Sequence, residues 1–186
     1  KKLPNLREFI EFKVANKIVF SKVYLKFGGR LKFCIAGGAP LPQAIGEFMR
    51  IVGIPIFEGY GLTETCAPIT LNFPDAVKFG CVGKPLPEVT IKIADDGEIL
   101  CKTRKNFIEY FKNPEATREV LTKEGWFHTG DIGLIDEEGF VKITDRKKDL
   151  IVTSAGKNIA PQKIENLLKT QKYISQIMVL GDKRNY

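Results

Sequence analysis

Gly59-Tyr60-Gly61-Leu62-Thr63-Glu64-Thr65 is the stretch from which the fold of this chain is best interpreted. Because glycine tolerates φ > 0, the stretch predicts a turn whose backbone N–H groups can face an anion. Thr63 is suited to donate to a phosphate oxygen, Glu64 to bind Mg²⁺, and Tyr60 to lie flat against a base. The alternative is a plain glycine-rich turn between a strand and a helix, and a short glycine motif alone does not decide between them.

Strand and helix signals alternate before this stretch. Residues 5–27 have apolar and basic side chains at helical spacing and predict one or two helices. Residues 31–36 predict a strand, residues 42–52 a helix with proline in its first turn, and residues 55–58 a second strand. This order predicts a doubly wound α/β unit that binds its ligand at the strand ends.

The pattern changes after Asn72, where alternating apolar residues and tight turns predict hairpins. One hairpin is predicted over residues 89–101 and another over residues 132–143, with a helix over residues 114–121 between them. They predict a small antiparallel or barrel-like subdomain. A short strand after residue 149, a helix from Pro161 and a last strand over residues 174–180 then predict the start of a second α+β domain.

The composition is that of a globular protein with a basic excess. The 186 residues have a formal net charge of +7, and the excess lies in residues 1–32 and 145–186, so nucleic acid or a membrane surface is an alternative partner. The four cysteines form no C-x-x-C pair, which favours free thiols in a reducing cytosol. No apolar run is long enough for a transmembrane span, and no signal peptide is visible.

Four motifs together resemble one family. They are Gly37-Gly38-Ala39-Pro40, the central stretch, Gly125-Trp126-Phe127-His128-Thr129-Gly130-Asp131, and Asp145-Arg146-Lys147-Lys148-Asp149-Leu150. In this order and spacing they resemble the adenylate-forming superfamily. Residues 58–65, the Phe-His-Thr-Gly-Asp run and residues 156–161 are most similar to long-chain fatty acyl-CoA synthetases, and the resemblance extends from about residue 18 onward.

The resemblance implies a fold and a division into domains. Residues 1–144 would be the last part of a large α/β domain, with an α/β portion at 31–72 and a β-rich subdomain at 73–144. Residues 145–149 would be a hinge, and residues 150–186 the incomplete start of a small α+β domain. Because family members are several times longer, the chain is expected to be an internal fragment that is inactive alone.

The resemblance also implies a reaction, in which ATP and a fatty acid give an acyl-adenylate and CoA then displaces AMP, with Mg²⁺ assisting. The implied catalytic residues are Thr63, Glu64 and the hinge Lys148, with Glu64 as the metal ligand. The implied ATP/AMP residues are Gly38, Ala39, Pro40, Glu58, Gly59, Tyr60, Gly61, Thr63, Asp131 and Arg146, and the implied CoA residues are Ser154, Ala155 and Gly156.

Several of these roles have a structural alternative on local grounds. Asp131 is implied to accept hydrogen bonds from both ribose hydroxyls, Arg146 to reach ribose and phosphate, and Lys148 to be the pivot between two domain arrangements. Each could instead be an ordinary turn or surface charge. The single histidine, His128, is not assigned a catalytic role, because no second histidine exists for a metal pair.

Some positions depart from the family pattern. Lys102-Thr103-Arg104-Lys105 stands where the family often has Arg-Gly-Pro, Glu109 precedes Tyr110 where a glycine is common, and Ala155 replaces a common glycine. An aryl or medium-chain acid–CoA ligase, a non-catalytic nucleotide-binding module and a basic nucleic-acid or membrane-surface binder remain the alternatives. We expect a cytoplasmic protein that binds fatty acid, ATP and CoA and no nucleic acid, with peripheral membrane contact left open.

Overall fold

The computed structural model describes residues 5–153, 158–169 and 171–181. It begins with one continuous helical segment formed by α1 (Leu6–Ala15), a π-helical turn (Asn16–Phe20) and α2 (Ser21–Lys26). Asn5 and Glu8 start this segment with two reciprocal side chain–backbone hydrogen bonds of 2.8 and 2.9 Å, which satisfy two free N–H groups of the first turn. The helix predicted over residues 5–27 is confirmed.

The first sheet contains the parallel pair expected of the α/β unit. Its strands, in spatial order, are β1 (Cys34–Ala36), β2 (Ile56–Leu62), β3 (Ala67–Leu71) and β4 (Lys84–Pro85). Helix α3 (Gln43–Val52) connects the parallel strands β1 and β2 and ends at Gly53, whose φ of +91° favours glycine. Met49, Val52 and Ile54 form a buried cluster that packs against the N-terminal helical segment.

Strand β2 is longer than predicted and corrects the interpretation of the central stretch. It continues through Gly59, Tyr60 and Gly61 to Leu62, and only residues 63–65 turn, as a 3₁₀ segment. The chain then returns as the antiparallel strand β3, so no helix follows. The anion-facing turn predicted over Gly59 to Leu62 is therefore wrong, because these residues form a paired strand.

The second sheet is a four-stranded antiparallel meander. Its strands, in order, are β5 (Thr90–Ile93), β6 (Glu98–Lys102), β7 (Phe127–Ile135) and β8 (Val141–Arg146), with helix α4 (Pro114–Val120) between β6 and β7. Both predicted hairpins and the predicted helix are confirmed. The pairing of β6 with β7 shifts register after Glu98, which places a β-bulge in the middle of β7.

One apolar cluster joins the two sheets. Tyr60 and Ile69 of the first sheet are buried with Ile99, Phe127 and Val141 of the second. Strand β4 also pairs with β3 across the boundary predicted at residue 72, so the two portions share both a sheet and a core. The last part of β2 and the middle of β7 are thereby held close together.

The last elements are short. They are β9 (Ile151–Val152), β10 (Asn158–Ile159) and α5 (Pro161–Leu168), and β9 pairs antiparallel with β10. The strand predicted over residues 174–180 is wrong, because Val179 donates its N–H to the Glu165 carboxylate at 2.8 Å and not to a neighbouring strand. Within the ranges that the structure describes, no helix combines the length and apolar character needed to cross a bilayer.

Candidate functional site

Two open clefts lie on either side of the end of β2, and Leu62 lines both. We call the first, with a volume of about 410 Å³, the glycine cleft; its lining is Ile35, Ala36, Gly37, Gly38, Gly59, Tyr60, Gly61, Leu62, Thr63, Pro68 and Leu71. We call the second, with a volume of about 510 Å³, the charged cleft; its lining is Leu62, Glu64, Glu98, Tyr110, Glu119, Val120, Phe127, His128, Thr129, Gly130, Asp131, Arg146, Lys147, Lys148 and Asp149. Most of the site residues inferred from sequence line one of these two clefts.

The glycine cleft owes its shape to the close approach of two strands. A Cβ atom at Gly59 would lie 3.0 Å from Leu71 Cδ1 and 3.3 Å from the carbonyl oxygen of Thr70, so a side chain there would push β3 away. Gly59 is therefore required by packing and not by a positive φ. Thr63 is exposed at the mouth of this cleft.

Three of the predicted nucleotide residues lie outside the lining of both clefts. Glu58 is buried and accepts the N–H of Leu41 at 3.1 Å, so its side chain ties the loop after β1 to β2. Burial raises the pKa of Glu58, and the Leu41 hydrogen bond opposes that rise. Ala39 and Pro40 are exposed in the same loop.

Tyr60 connects the two clefts. Its buried ring lines the glycine cleft, and its hydroxyl donates to Oδ2 of Asp131 in the charged cleft at 2.6 Å. Burial and the neighbouring Asp131 carboxylate raise the pKa of Tyr60, so its hydroxyl stays a donor at neutral pH. Two residues 71 positions apart in the chain are thus in direct contact.

Asp131 lies beside Arg146, as the sequence analysis predicted for two groups at one site. The Nε atom of Arg146 is 3.4 Å from Oδ1 of Asp131, and the guanidinium is largely exposed while the carboxylate is buried. Burial raises the pKa of Asp131, and the Tyr60 hydrogen bond and the Arg146 charge act in the opposite direction. The carboxylate therefore lies buried at the cleft with an exposed cation at its edge.

Glu64 lines the charged cleft close to Thr63. Its Oε1 atom accepts the hydroxyl of Tyr110 at 2.9 Å, and its backbone oxygen accepts the N–H of Phe107 at 2.6 Å. Among the described residues no three His, Cys, Asp or Glu side chains cluster as metal ligands. A single oriented carboxylate nevertheless fits Mg²⁺ in sites where phosphate oxygens and water supply the other ligands.

Glu98 is the residue that sequence reasoning missed. Its buried carboxylate accepts the N–H of Gly130 at 2.9 Å and Nζ of Lys147 at 2.9 Å, and it lies 3.0 Å from Nδ1 of His128. Burial alone would raise the pKa of Glu98, but the hydrogen bonds from Lys147, His128 and Gly130 together lower it below its usual value. The sequence signal from which Glu98 could have been identified is its position as a glutamate before the apolar residues of β6.

The charged segment 145–149 begins inside β8, and its residues are exposed except for Asp145. Asp145 is buried and accepts the N–H of Arg146 at 2.7 Å, and Lys147 forms ion pairs with Asp96 at 2.7 Å and with Glu98. Strand β8 and these ion pairs therefore anchor the first part of the segment that the sequence analysis describes as a hinge. Lys148 is exposed and lines the charged cleft, while Ser154, Ala155 and Gly156 lie outside the described residues.

Comparisons with known proteins show the family to which the chain belongs. A family model described as AMP-binding enzyme matches residues 6–110, and a model described as AMP-binding enzyme C-terminal domain matches residues 148–186. The long-chain-fatty-acid–CoA ligase FadD15 of Mycobacterium bovis is 43% identical over 173 residues, which are 93% of this chain and 29% of that protein. The chain thus spans less than a third of the length of this curated relative.

Solved structures are similar over most of the chain. The Bacillus subtilis o-succinylbenzoate CoA synthetase, in complex with an acyl-adenylate intermediate, matches with a TM-score of 0.77 and 34% identity, over 83% of this chain and 34% of that one. A fatty acyl CoA synthetase of Mycobacterium tuberculosis matches with a TM-score of 0.61 and 37% identity, over 81% of this chain and 32% of that one.

Proposed function

The chain belongs to the AMP-binding enzyme family, and from this premise we propose that it is part of an enzyme that activates a fatty acid with ATP and transfers it to CoA. In the first step a carboxylate oxygen attacks the α-phosphorus and pyrophosphate leaves. In the second step the CoA sulfur attacks the acyl carbon and AMP leaves. The 43% identity to a long-chain-fatty-acid–CoA ligase supports the choice of a fatty acid as substrate.

The observation that carries the proposal is the convergence of Tyr60, Asp131 and Arg146 at the junction of the two clefts. Asp131 would accept hydrogen bonds from the ribose hydroxyls, and Arg146 would reach ribose and phosphate with its fixed fork of donors. The face of Tyr60 and the edge at Gly38 would hold the adenine in the glycine cleft. The nucleotide would then extend from an uncharged surface to a charged one.

Glu64 and Thr63 would act on the phosphates. The step brings two anions together, so it depends on charge neutralisation and positioning more than on a protein nucleophile. Glu64 would hold Mg²⁺ while Tyr110 keeps its carboxylate oriented. Mg²⁺ bound there would neutralise phosphate charge. Thr63 would donate its hydroxyl to the α-phosphate from its exposed position in the 3₁₀ turn after β2.

For the second step we propose that Lys148 is the pivot between two domain arrangements, within the hinge 145–149. Ser154, Ala155 and Gly156 would line the passage for CoA in the thioester-forming arrangement. This division places residues 1–144 in a large domain and residues 150–186 in the start of a small one. The exposure of Lys148, next to the anchored Lys147, supports a change of direction at this point.

Two experiments test the proposal. The 186-residue chain is expected to bind AMP in a calorimetric titration but to form no acyl-CoA alone, because it spans only 29% of the length of the ligase that it matches. A hybrid ligase, in which this chain replaces the aligned segment of the Mycobacterium bovis ligase, should catalyse pyrophosphate exchange that depends on a long-chain fatty acid. A folded hybrid without exchange, or a chain without AMP binding, would contradict the proposal.

A second candidate keeps the chemistry and changes the acid. The match to the o-succinylbenzoate CoA synthetase, with a TM-score of 0.77 and 34% identity, is the observation that makes an aryl acid the alternative substrate. Pyrophosphate exchange by the hybrid ligase with palmitate, octanoate and benzoate in parallel separates these cases. Exchange that is greatest with benzoate would replace the fatty acid in the proposal.

A further inference from the structure

The β-bulge in β7 contains Asp131 and determines the orientation of the backbone at this residue. Glu98 of β6 is paired with Ile132, and Leu100 with His128, so Thr129, Gly130 and Asp131 of β7 lie opposite Ile99 alone. The Thr129 hydroxyl donates to the Ile99 carbonyl at 2.7 Å. Gly130 has φ +72°, a left-handed conformation that favours glycine. The bulge thus takes the Gly130 N–H out of the strand ladder, and a replacement acceptor is needed.

Glu98 supplies that acceptor with one carboxylate oxygen. Its Oε1 atom accepts the Gly130 N–H at 2.9 Å, and its Oε2 atom accepts Lys147 Nζ at 2.9 Å. The Glu98 side chain is only 4% exposed, whereas that of Asp96, the second partner of Lys147, is 51% exposed. The contact of Glu98 with Lys147 is therefore the more shielded of the two, and a charge-assisted hydrogen bond is stronger where solvent does not screen it.

Each of these two contacts lies next to a proposed ribose residue. Gly130 precedes Asp131, and Lys147 follows Arg146. We propose that Glu98 is a positioning residue. Its buried carboxylate holds both Gly130 in the bulge of β7 and Lys147 after β8, and it thereby orients Asp131 and Arg146 toward the ribose of the nucleotide. This inference rests on the proposed function. Its structural basis is that the buried Glu98 carboxylate contacts Lys147, which lies 49 residues after Glu98 in the chain.

Replacing Glu98 by glutamine separates the two contacts. The glutamine side chain keeps the shape and the oxygen that accepts the Gly130 N–H. Its amide nitrogen would take the place of Oε2, where it faces Nδ1 of His128 and the Lys147 ammonium group, and the ammonium group is also a donor. The Lys147 contact is lost while the bulge keeps its acceptor. Arg146 should then lose its fixed place beside Asp131.

The test is calorimetric titration of the 186-residue chain with AMP and with 2′,3′-dideoxyadenosine monophosphate, which lacks the ribose hydroxyls. We expect Glu98→Gln to weaken AMP binding about tenfold. It should change binding of the dideoxy compound by no more than about threefold. The control Asp96→Asn removes the exposed partner of Lys147 and should leave both affinities within about threefold. Lys147→Met, on the exposed side of the same ion pair, should reproduce the selective loss if Glu98→Gln does not fold.

The outcomes are distinguishable. An equal loss for both nucleotides, or no loss for either, would overturn the positioning role of Glu98 and leave the proposed function standing. Failure of the unmodified chain to bind AMP would overturn the proposed function and this inference with it. Amide hydrogen exchange gives a second readout, because Glu98→Gln should accelerate exchange at Arg146 while Asp96→Asn should not.

Discussion

The glycine cleft and the charged cleft meet at Leu62 but have different chemistry. No charged side chain is among the described residues that line the glycine cleft, whereas acidic and basic groups line the charged cleft. A nucleotide is divided in the same way, into a flat base and a polar ribose with phosphates. The difference shows that residues 59–65 form a strand end with a cleft on each side, and that each cleft suits one part of the proposed nucleotide.

The division follows from the course of β2. Gly59 permits β3 to approach closely on the side of Leu71, and the last residues of β2 lead into the 3₁₀ turn that carries Glu64 to the other side. Tyr60 reaches both clefts, through its ring and its hydroxyl. Substitutions on the two sides should therefore have separable effects.

Glu64→Gln should have the largest effect, and on the chemistry of the charged cleft only. In the hybrid ligase we expect pyrophosphate exchange to fall by at least about a hundredfold, because a metal's charge stabilisation is worth several kcal/mol. AMP binding by the 186-residue chain, measured calorimetrically without metal, should be nearly unchanged. Near-normal exchange by the variant would remove Glu64 from the mechanism.

Lys148→Pro should have the next largest effect and should separate the two half-reactions. Proline fixes φ near −65° and removes an N–H, so it should hold the hybrid ligase in one domain arrangement. We expect the ratio of pyrophosphate exchange to CoA consumption from preformed acyl-adenylate to change about tenfold or more. An equal fall in both rates, with folding intact, would contradict a hinge at Lys148.

The matched controls for this variant are Lys148→Ala and Lys147→Ala. Lys148→Ala removes the same charge but leaves φ free, so the ratio of the two rates should stay near that of the unmodified hybrid. Lys147→Ala is needed because proline also restricts the residue before it, and Lys147 forms the ion pairs with Asp96 and Glu98. A changed ratio in Lys148→Ala would assign the effect of proline to the lost charge. A changed ratio in Lys147→Ala would assign it to the lost ion pairs.

Much of the fold could be predicted where the signal is local. The hairpins and the helices that begin at Pro114 and Pro161 were identified because turn residues and proline act within a few positions. The length of β2 was not predicted, because its two glycines are typical of a turn, and the close approach of Gly59 to Leu71 and Thr70 is a tertiary contact. The apolar run at residues 174–180 indicated a strand, but apolar character does not supply a strand partner.

The sequence predicted which motif residues would lie near one another at the site. Asp131 and Arg146 were expected at one site and lie 3.4 Å apart, and their roles toward a nucleotide stay predictions. Glu98 could not have been found by spacing, because its contacts with Gly130 and Lys147 depend on a bulge and on a pairing 49 residues away. Residues that position others leave a weaker signal in one sequence than residues with reactive groups.

Asp131→Asn should weaken binding of the ribose at the charged cleft without changing binding of the base at the glycine cleft. Asparagine keeps the size of the side chain but replaces a charged acceptor by a neutral one, and one of its two polar atoms is a donor. We expect the 186-residue chain to bind AMP about tenfold more weakly, the difference between charged and neutral hydrogen bonds. The dideoxy compound should bind with unchanged affinity, and a matching loss for it would contradict the ribose role.

Tyr60→Phe should have the smallest effect, and it separates the ring of Tyr60 from its hydroxyl. The ring that lines the glycine cleft stays, so AMP affinity near neutral pH should change by no more than about threefold. Burial already raises the pKa of Asp131, and the Tyr60 hydrogen bond is what lowers it most. Removing the hydroxyl should therefore raise that pKa further.

The sign of this shift decides the pH profile. In its proposed role Asp131 would accept both ribose hydroxyls only when ionised. AMP affinity should therefore fall as the pH drops through the pKa of Asp131, and in Tyr60→Phe the fall should begin at a higher pH. Titrations from about pH 4 to about pH 8 measure it. Tyr110→Phe is the matched control, because its hydroxyl contacts Glu64 and should leave the midpoint unchanged. An unchanged or lower midpoint in Tyr60→Phe would mean that the two clefts act independently.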